Sequence, residues 1–376
     1  MTPPAPYLFG RRELVLGSTA IAVAPMGCDD SDPSPGELWA SAQGADPGSF
    51  ELVVAGSQGV YARIVSDVRG HGLAVSPTDP ARVVMFGRRP QTVGVVGNIL
   101  SSEVVGRFEC ARGRHLVGHG CFSLDGTRLF VAEADLVTGE GTIAVLDAGT
   151  LQRIDEFVSG GVGPHEVVLM PGGSSLAVAN GGLVTEPGGR DPINLDSMRS
   201  SLVYLDADTG ALLGEHTVAE PKASLRHLAV SRDGTLVVVM QIQRAALGDV
   251  QPRPLVAIHR PGGVLESLQD GLELGTAMDD YAGAVAVDDS SRVVAVTSPR
   301  GNLVAFWDLD TGASLGVQRF DDVSGVAVSR DGTRFVLTGS GGQLRQTETA
   351  TLEELPGARA RLDDVQWDNH LLTLRT

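Results

Sequence analysis

The chain has 376 residues, a formal charge of −17, 48 glycines and only 5% aromatic residues. Forty-six Asp and Glu against 29 Lys and Arg leave no basic stripe. That argues against direct binding of nucleic acid or of an anionic membrane surface, since both need clustered cations against phosphate. Abundant glycine and valine suit short strands and tight turns better than long helices, and the length is ample for a buried core.

The N-terminus reads as a targeting segment. Arg11 and Arg12 precede a weakly apolar run from Leu14 to Met26 that is too short to span a bilayer as a mature anchor. The arginine pair resembles a twin-arginine export signal, although Gly10 stands where Ser or Thr is usual. Pro25-Met26-Gly27-Cys28 resembles a lipobox, so residues 1–28 are expected to direct export to the periplasm. Either Cys28 is lipidated, the chain's one expected link to a membrane, or ordinary cleavage occurs nearby. A polar, Pro-rich tether is expected over 29–48, followed by a single repeat domain over 49–376.

From there the chain restarts five times in one manner: a polar residue, a short apolar strand, a turn, another apolar strand. The restarts are His71-Gly-Leu-Ala-Val, His119-Gly-Cys-Phe-Ser, His165-Glu-Val-Val-Leu, His227-Leu-Ala-Val-Ser and Val323-Ser-Gly-Val-Ala-Val, with a more divergent copy from Tyr281. A period of roughly 40–60 residues marks a repeat architecture. In the second unit the strands read Cys121-Phe-Ser, Arg128 to Glu133, Gly141 to Asp147 and Leu151 to Phe157, with Asp125-Gly126 and Asp147 to Thr150 as turns. The latter turn recurs at Asp206–Gly210 and Asp308–Gly312 and caps hairpins. Four antiparallel strands per unit make a propeller blade, and the fold class is all-β, a seven-bladed β-propeller. Six blades are complete. The seventh is shared by the termini, with Val365-Gln-Trp and Leu371 to Arg375 from one end and Phe50 to Ala55 and Val60 to Val65 from the other. This closes the ring and removes exposed edges. The one long interruption, Gly181 to Ser200, lies between strands two and three of the third blade, where extra length more often serves a site than the core.

The loop entering each inner strand and the loop joining strands two and three open on one face. That face is expected to collect Arg69, His71, Arg114, His115, His119, His165, Glu166, Arg226, His227 and Tyr281 from the entering loops. The second set of loops supplies Glu133, Asn180, Asn194, Gln243 and Arg300. Four of the eight histidines, His71, His119, His165 and His227, occupy nearly equivalent repeat positions. Converging imidazoles with a carboxylate from Glu133 or Glu166 suit a transition metal such as iron or copper. The competing reading is that each histidine tips its strand and bonds across blades. Arginines at the same mouth suit a carboxylate, phosphate or anionic chelate, and a metal bound as an organic complex reconciles both. Cys110 and Cys121 flank one turn and either pair in an oxidising compartment or serve as small buried groups. No Gly-x-Ser-x-Gly elbow, His-Glu-x-x-His, P-loop or haem-attachment motif is present.

Several segments are specific enough to carry a family resemblance: Arg69-Gly-His-Gly, Gly113-Arg-His, Gly118-His-Gly, Gly163-Pro-His-Glu, Ala179-Asn-Gly-Gly, Asn194-Leu-Asp-Ser-Met-Arg, Ser224-Leu-Arg-His-Leu and Thr297-Ser-Pro-Arg-Gly. In this order, over about residues 50–345, they resemble the exported propellers of domain-of-unknown-function family 1513. The resemblance implies a seven-bladed propeller of the YVTN and quinoprotein-like kind. It also implies a periplasmic role beside imelysin-type iron-uptake proteins. Cys121 departs from the family, where an aliphatic residue is usual. The expected function is a binding or accessory protein for a metal, metal chelate or small ligand. A metal-assisted hydrolase such as a lactonase, or a protein-interaction platform, stand as alternatives.

Overall fold

Two kinds of strand alternate along the chain. Arg82–Gly87 and Val293–Ser298 are apolar at successive positions and buried along nearly their whole length, whereas Glu103–Glu109 and Ser314–Arg319 are largely exposed. A strand buried on both faces needs protein above and below it, which neighbouring blades provide. The computed structural model, which describes residues 36–374 apart from 45–47, 187, 188, 190 and 270, satisfies this with a seven-bladed β-propeller. Among the described residues the strands form seven four-stranded antiparallel sheets. The expected export signal, Cys28 and the first part of the tether lie outside the described residues.

Blades 1 to 6 begin with Gly70–Val75, Arg114–Phe122, Pro164–Leu169, Ala223–Val230, Val285–Asp288 and Val323–Val328. These inner strands pack one against the next around the central channel. Asp147, Asp206 and Asp308 fix the outer hairpins: each accepts from the backbone N–H and the hydroxyl of a threonine three residues on, at 2.7–2.8 Å. A short side chain satisfying the backbone locally is what makes such a turn tight.

Blade 7 joins the two ends, as expected, but divides them differently. Its inner strand is Leu372–Thr373, and Trp39–Gln43, Glu51–Gly56 and Gly59–Val65 follow outward. The C-terminus therefore gives one strand and the N-terminus three, rather than two each. Trp39–Gln43 lies inside the stretch expected to be tether. Small and polar neighbours disguise it, yet Trp39 is fully buried, and Val365 and Trp367 are buried in a loop rather than a strand. Trp39, Trp367, Val53, Val336 and Leu344 share one apolar cluster at the seam between blades 6 and 7. Burying a side chain of this size stabilises by about 1.5–3 kcal/mol, so the seam closes the ring without a covalent link.

The long insertion sits where expected, between Ser175–Asn180 and Ser201–Asp206. Cys110 and Cys121 are free thiols, and Cys110 Sγ donates to Arg114 O at 3.1 Å. Of the two readings of the cysteines, the unpaired one holds.

Candidate metal centre

In blades 1 to 4 the pairing of the first two strands breaks where the histidine stands. The register slips between Gly70 and Leu73, Leu116 and Gly120, Pro164 and Glu166, and Leu225 and Leu228. His71, His119, His165 and His227 fall inside those four intervals. A bulge bends its strand and re-aims a side chain, and here it turns each imidazole toward the same point. Glycine makes the approach possible. Gly118 has φ +98°, and a Cβ there would lie 2.7 Å from His71 Cδ2, so adjacent blades press an imidazole against bare backbone.

A fifth ring, His370, joins them from blade 7. Its centroid lies 4.5 Å from that of His71, 4.7 Å from His119 and 4.6 Å from His227. His165 and His227 are 4.7 Å apart by the same measure, with their Nε2 atoms at 3.4 Å. His71, His119 and His165 form one group whose ring nitrogens lie within 4.8 Å of one another, and His119, His227 and His370 form a second. His119 belongs to both.

Two carboxylates stand behind the rings. Glu166 Oε2 accepts from the Leu228 N–H at 2.9 Å and faces His227 Nδ1 at 3.2 Å, while Oε1 lies 3.7 Å from His119 Nδ1. Asp368 lies 3.9 Å from His71 Nδ1 and 3.4 Å from the Arg88 guanidinium. Carboxylates behind imidazoles are the usual second layer of a metal site, orienting the rings and raising their basicity.

Electrostatics favour neutral rings with free lone pairs. Burial, and then mutual repulsion among the imidazoles, pushes His119, His165, His227 and His370 well below the ordinary histidine range. Burial likewise raises the Glu166 carboxyl to about 7. Burial opposes ionisation of Asp368 too, but the nearby His71 and Arg88 hold it below the usual carboxylate range. His71 Nδ1, His119 Nε2 and His370 Nε2 are buried with no hydrogen-bond partner among the described residues. A buried polar atom without a partner costs about 1–3 kcal/mol, so these nitrogens are suited to a ligand. The reading in which each histidine merely bonds across blades does not account for these three atoms.

Above the rings lies a mouth of about 360 Å³, lined by His71, His165 and His227 at its floor and by Arg88, Arg89, Arg226, Gln243, Tyr281 and Arg300 around it. His115 also lines it, with Nδ1 engaged at 2.9 Å by its own neighbour's carbonyl, Leu116 O. Arg226 Nη1 reaches His165 Nδ1 at 3.3 Å, and Arg300 stacks 4.4 Å from the centroid of Tyr281.

Other residues expected at the site are used elsewhere. Glu133 is buried between Arg153, which donates a short bond, and Arg114 at 3.4 Å, which itself pairs with Glu156 at 2.9 Å. That ion-pair group ties strands of blade 2 together and leaves Glu133 outside the imidazole cluster. Asn180, fully buried, is held by Ser159 through both amide atoms at 2.8 and 3.0 Å. Asn194 braces the long insertion, accepting from Val184 N and donating to Gly182 O. Arg69 packs near Arg88 behind the mouth, its Nε buried and unpartnered. His370 and Asp368 were not anticipated. The signal was present: His370-Leu-Leu-Thr-Leu has the form of His227-Leu-Ala-Val-Ser.

No curated protein matches this sequence. Among solved structures the fold is similar to Kuenenia stuttgartiensis Hydrazine Synthase, with 16% identity, a TM-score of 0.61, and coverage of 81% of this chain and 94% of that one. At this identity the likeness concerns the propeller alone. The family described as "Protein of unknown function (DUF1513)" matches residues 65–374, which span the six complete blades and the C-terminal strand of the seventh, and the chain belongs to that family.

Proposed function

We propose that this chain is a periplasmic metal-binding protein that takes part in iron, or copper, uptake or homeostasis. His71, His119, His165, His227 and His370 hold the metal. The observation that carries this reading is the set of five converging imidazoles, three of which keep a buried ring nitrogen without a partner. Neutral imidazole suits iron, copper, zinc and nickel, while the cluster lacks the oxygen-rich donor set that calcium or magnesium requires. Glu166 and Asp368 orient the rings, as carboxylates do behind metal-bound histidine. Resemblance to exported propellers found beside imelysin-type iron-uptake proteins favours iron as cargo and such proteins as partners. The arginine pair at Arg11 and Arg12 favours folding, and hence metal loading, before export.

The test is metal analysis of protein isolated from the periplasm, alongside titration of the stripped protein with Fe(II), Cu(II) and Zn(II). Stoichiometric metal that falls below half occupancy in the His119→Ala/His227→Ala variant is the expected result. Equal metal content in that variant and the wild type overturns the reading.

A further inference from the structure

The mouth and the imidazole cluster share one hydrogen-bond contact, and its polarity has a consequence. A guanidinium has donors only, so at the 3.3 Å contact between Arg226 Nη1 and His165 Nδ1 the ring nitrogen must accept. The His165 proton then sits on Nε2, which faces His227 Nε2 at 3.4 Å, and His227 Nδ1 donates to Glu166. The chain Arg226, His165, His227, Glu166 is self-consistent while the rings hold no metal.

Were His165 to hold a metal through Nε2, its ring proton would have to sit on Nδ1. His165 Nδ1–H and the Arg226 guanidinium would then point donors at each other, and both would need an acceptor. Arg226 Nε already lacks a partner and is buried. The space where that acceptor would sit is the mouth, where Arg88, Arg89 and Arg300 converge with Tyr281 and Gln243. Of the carboxylates lining the mouth, Asp280 is engaged by Arg244 through two bonds of 2.7 Å, Asp135 accepts from the Val137 and Thr138 N–H groups at 2.9 and 2.8 Å, and Glu186 is exposed on the long insertion. A cavity of about 360 Å³ is at the small end of ligand pockets, and planar guanidinium forks match carboxylates two bonds at a time.

From this geometry we infer that the mouth binds a small dicarboxylate, and that metal and dicarboxylate bind cooperatively because loading His165 releases Arg226 to clamp the anion. This rests on the metal-binding reading above. It adds a ligand class and a direction of coupling, and by linkage the anion must tighten the metal by the same factor.

Succinate, a weak chelator, serves as the probe. Its affinity is measured by calorimetry on metal-free protein and on protein carrying Co(II), whose visible spectrum also reports changes at the imidazoles. Metal content is determined on the same samples, so that variants are compared at equal loading. We expect succinate to bind at least about tenfold more tightly to the loaded protein, a coupling of about 1.4 kcal/mol. Arg226→Gln abolishes that gain and Arg300→Gln weakens binding in both forms. Metal uptake with no gain in succinate affinity overturns this inference and leaves the metal site standing. An undiminished gain in Arg226→Gln, or inorganic phosphate bound as tightly as succinate, likewise overturns it. Failure to take up Co(II), Fe(II) or Cu(II) brings down both readings together.

Discussion

Blade 7 and blades 1 to 4 form an arc that differs from blades 5 and 6 in one respect. In the arc each blade brings a histidine to the channel, from the inner strand at a break of register in blades 1 to 4 and from just before the inner strand in blade 7. Blade 5 pairs Val285–Asp288 with Val293–Val296 without a break, and its polar group, Tyr281, stands at the rim under Arg300. Blade 6 does break register, between Val323 and Gly325, yet the residue there is Ser324, whose hydroxyl bonds its own blade at Thr338 O. Blade 6 thus carries the bulge without the histidine, so the histidine is an addition to the bulge and not its cause. Scaffold and site are separable: a blade closes equally well with a small hydroxyl in that place, and the imidazoles add unsatisfied atoms that the scaffold does not need.

That contrast can be broken most severely at the seam, where the arc meets blade 6. Trp39→Ala removes the largest buried group there and is expected to cost about 3–5 kcal/mol, read as a lower midpoint in denaturant. It also loosens the strand Leu372–Thr373 that His370 directly precedes, so metal content falls with stability. Within the arc, His119→Ala/His227→Ala takes one ligand shared by both nitrogen groups and one from the second. Metal affinity is expected to fall at least about a hundredfold by calorimetry, while Ser324→Ala in blade 6 leaves it unchanged. Glu166→Gln keeps the bond from Leu228 N–H but loses the charge behind His227 and His119. A loss of about 10–100-fold in metal affinity is expected, and no loss would show that the carboxylate plays no part in holding the rings.

The smallest effect concerns the hairpins, which arc and non-arc blades share. Hydrogen bonds from Thr209 and Thr311 hold the Asp206 and Asp308 carboxyls below the usual carboxylate range. A carboxyl with a depressed folded-state pKa contributes stability above the unfolded value near 4, and that contribution is lost as pH falls through the folded value. Asp206→Asn in blade 3 and Asp308→Asn in blade 5 should each flatten the decline of stability between about pH 5 and pH 2, and to the same extent. A clearly larger effect in blade 3 would mean that the turns, too, are specialised in the arc.

Much of the site was legible in the chain because a repeat carries equivalent residues to equivalent places. His71, His119, His165 and His227 are found that way, and so are the rim arginines Arg226 and Arg300. Errors arose where one residue of register decides a side chain's face. Arg114 and Glu133 lie within strands Arg114–Phe122 and Arg128–Asp135 rather than in loops, so alternation points them at one another and at Arg153 instead of into the channel. Asn180 ends its strand turned toward Ser159 in the outer strand of blade 2, and not into the channel. His370 was overlooked because the closing blade borrows a single short strand from the C-terminus, too brief for its repeat to stand out.

The sequence by itself determined the propeller, the number of blades and the recurrence of histidine, since local turn chemistry and apolar patterning are written at fixed spacing. Only the tertiary structure decided that five rings meet at one point, that Glu166 and Asp368 stand behind them, and that Glu133 does not. The physical reason is that ring closure and the bulges set side-chain direction, and both depend on pairing between segments as distant as Trp39 and Thr373.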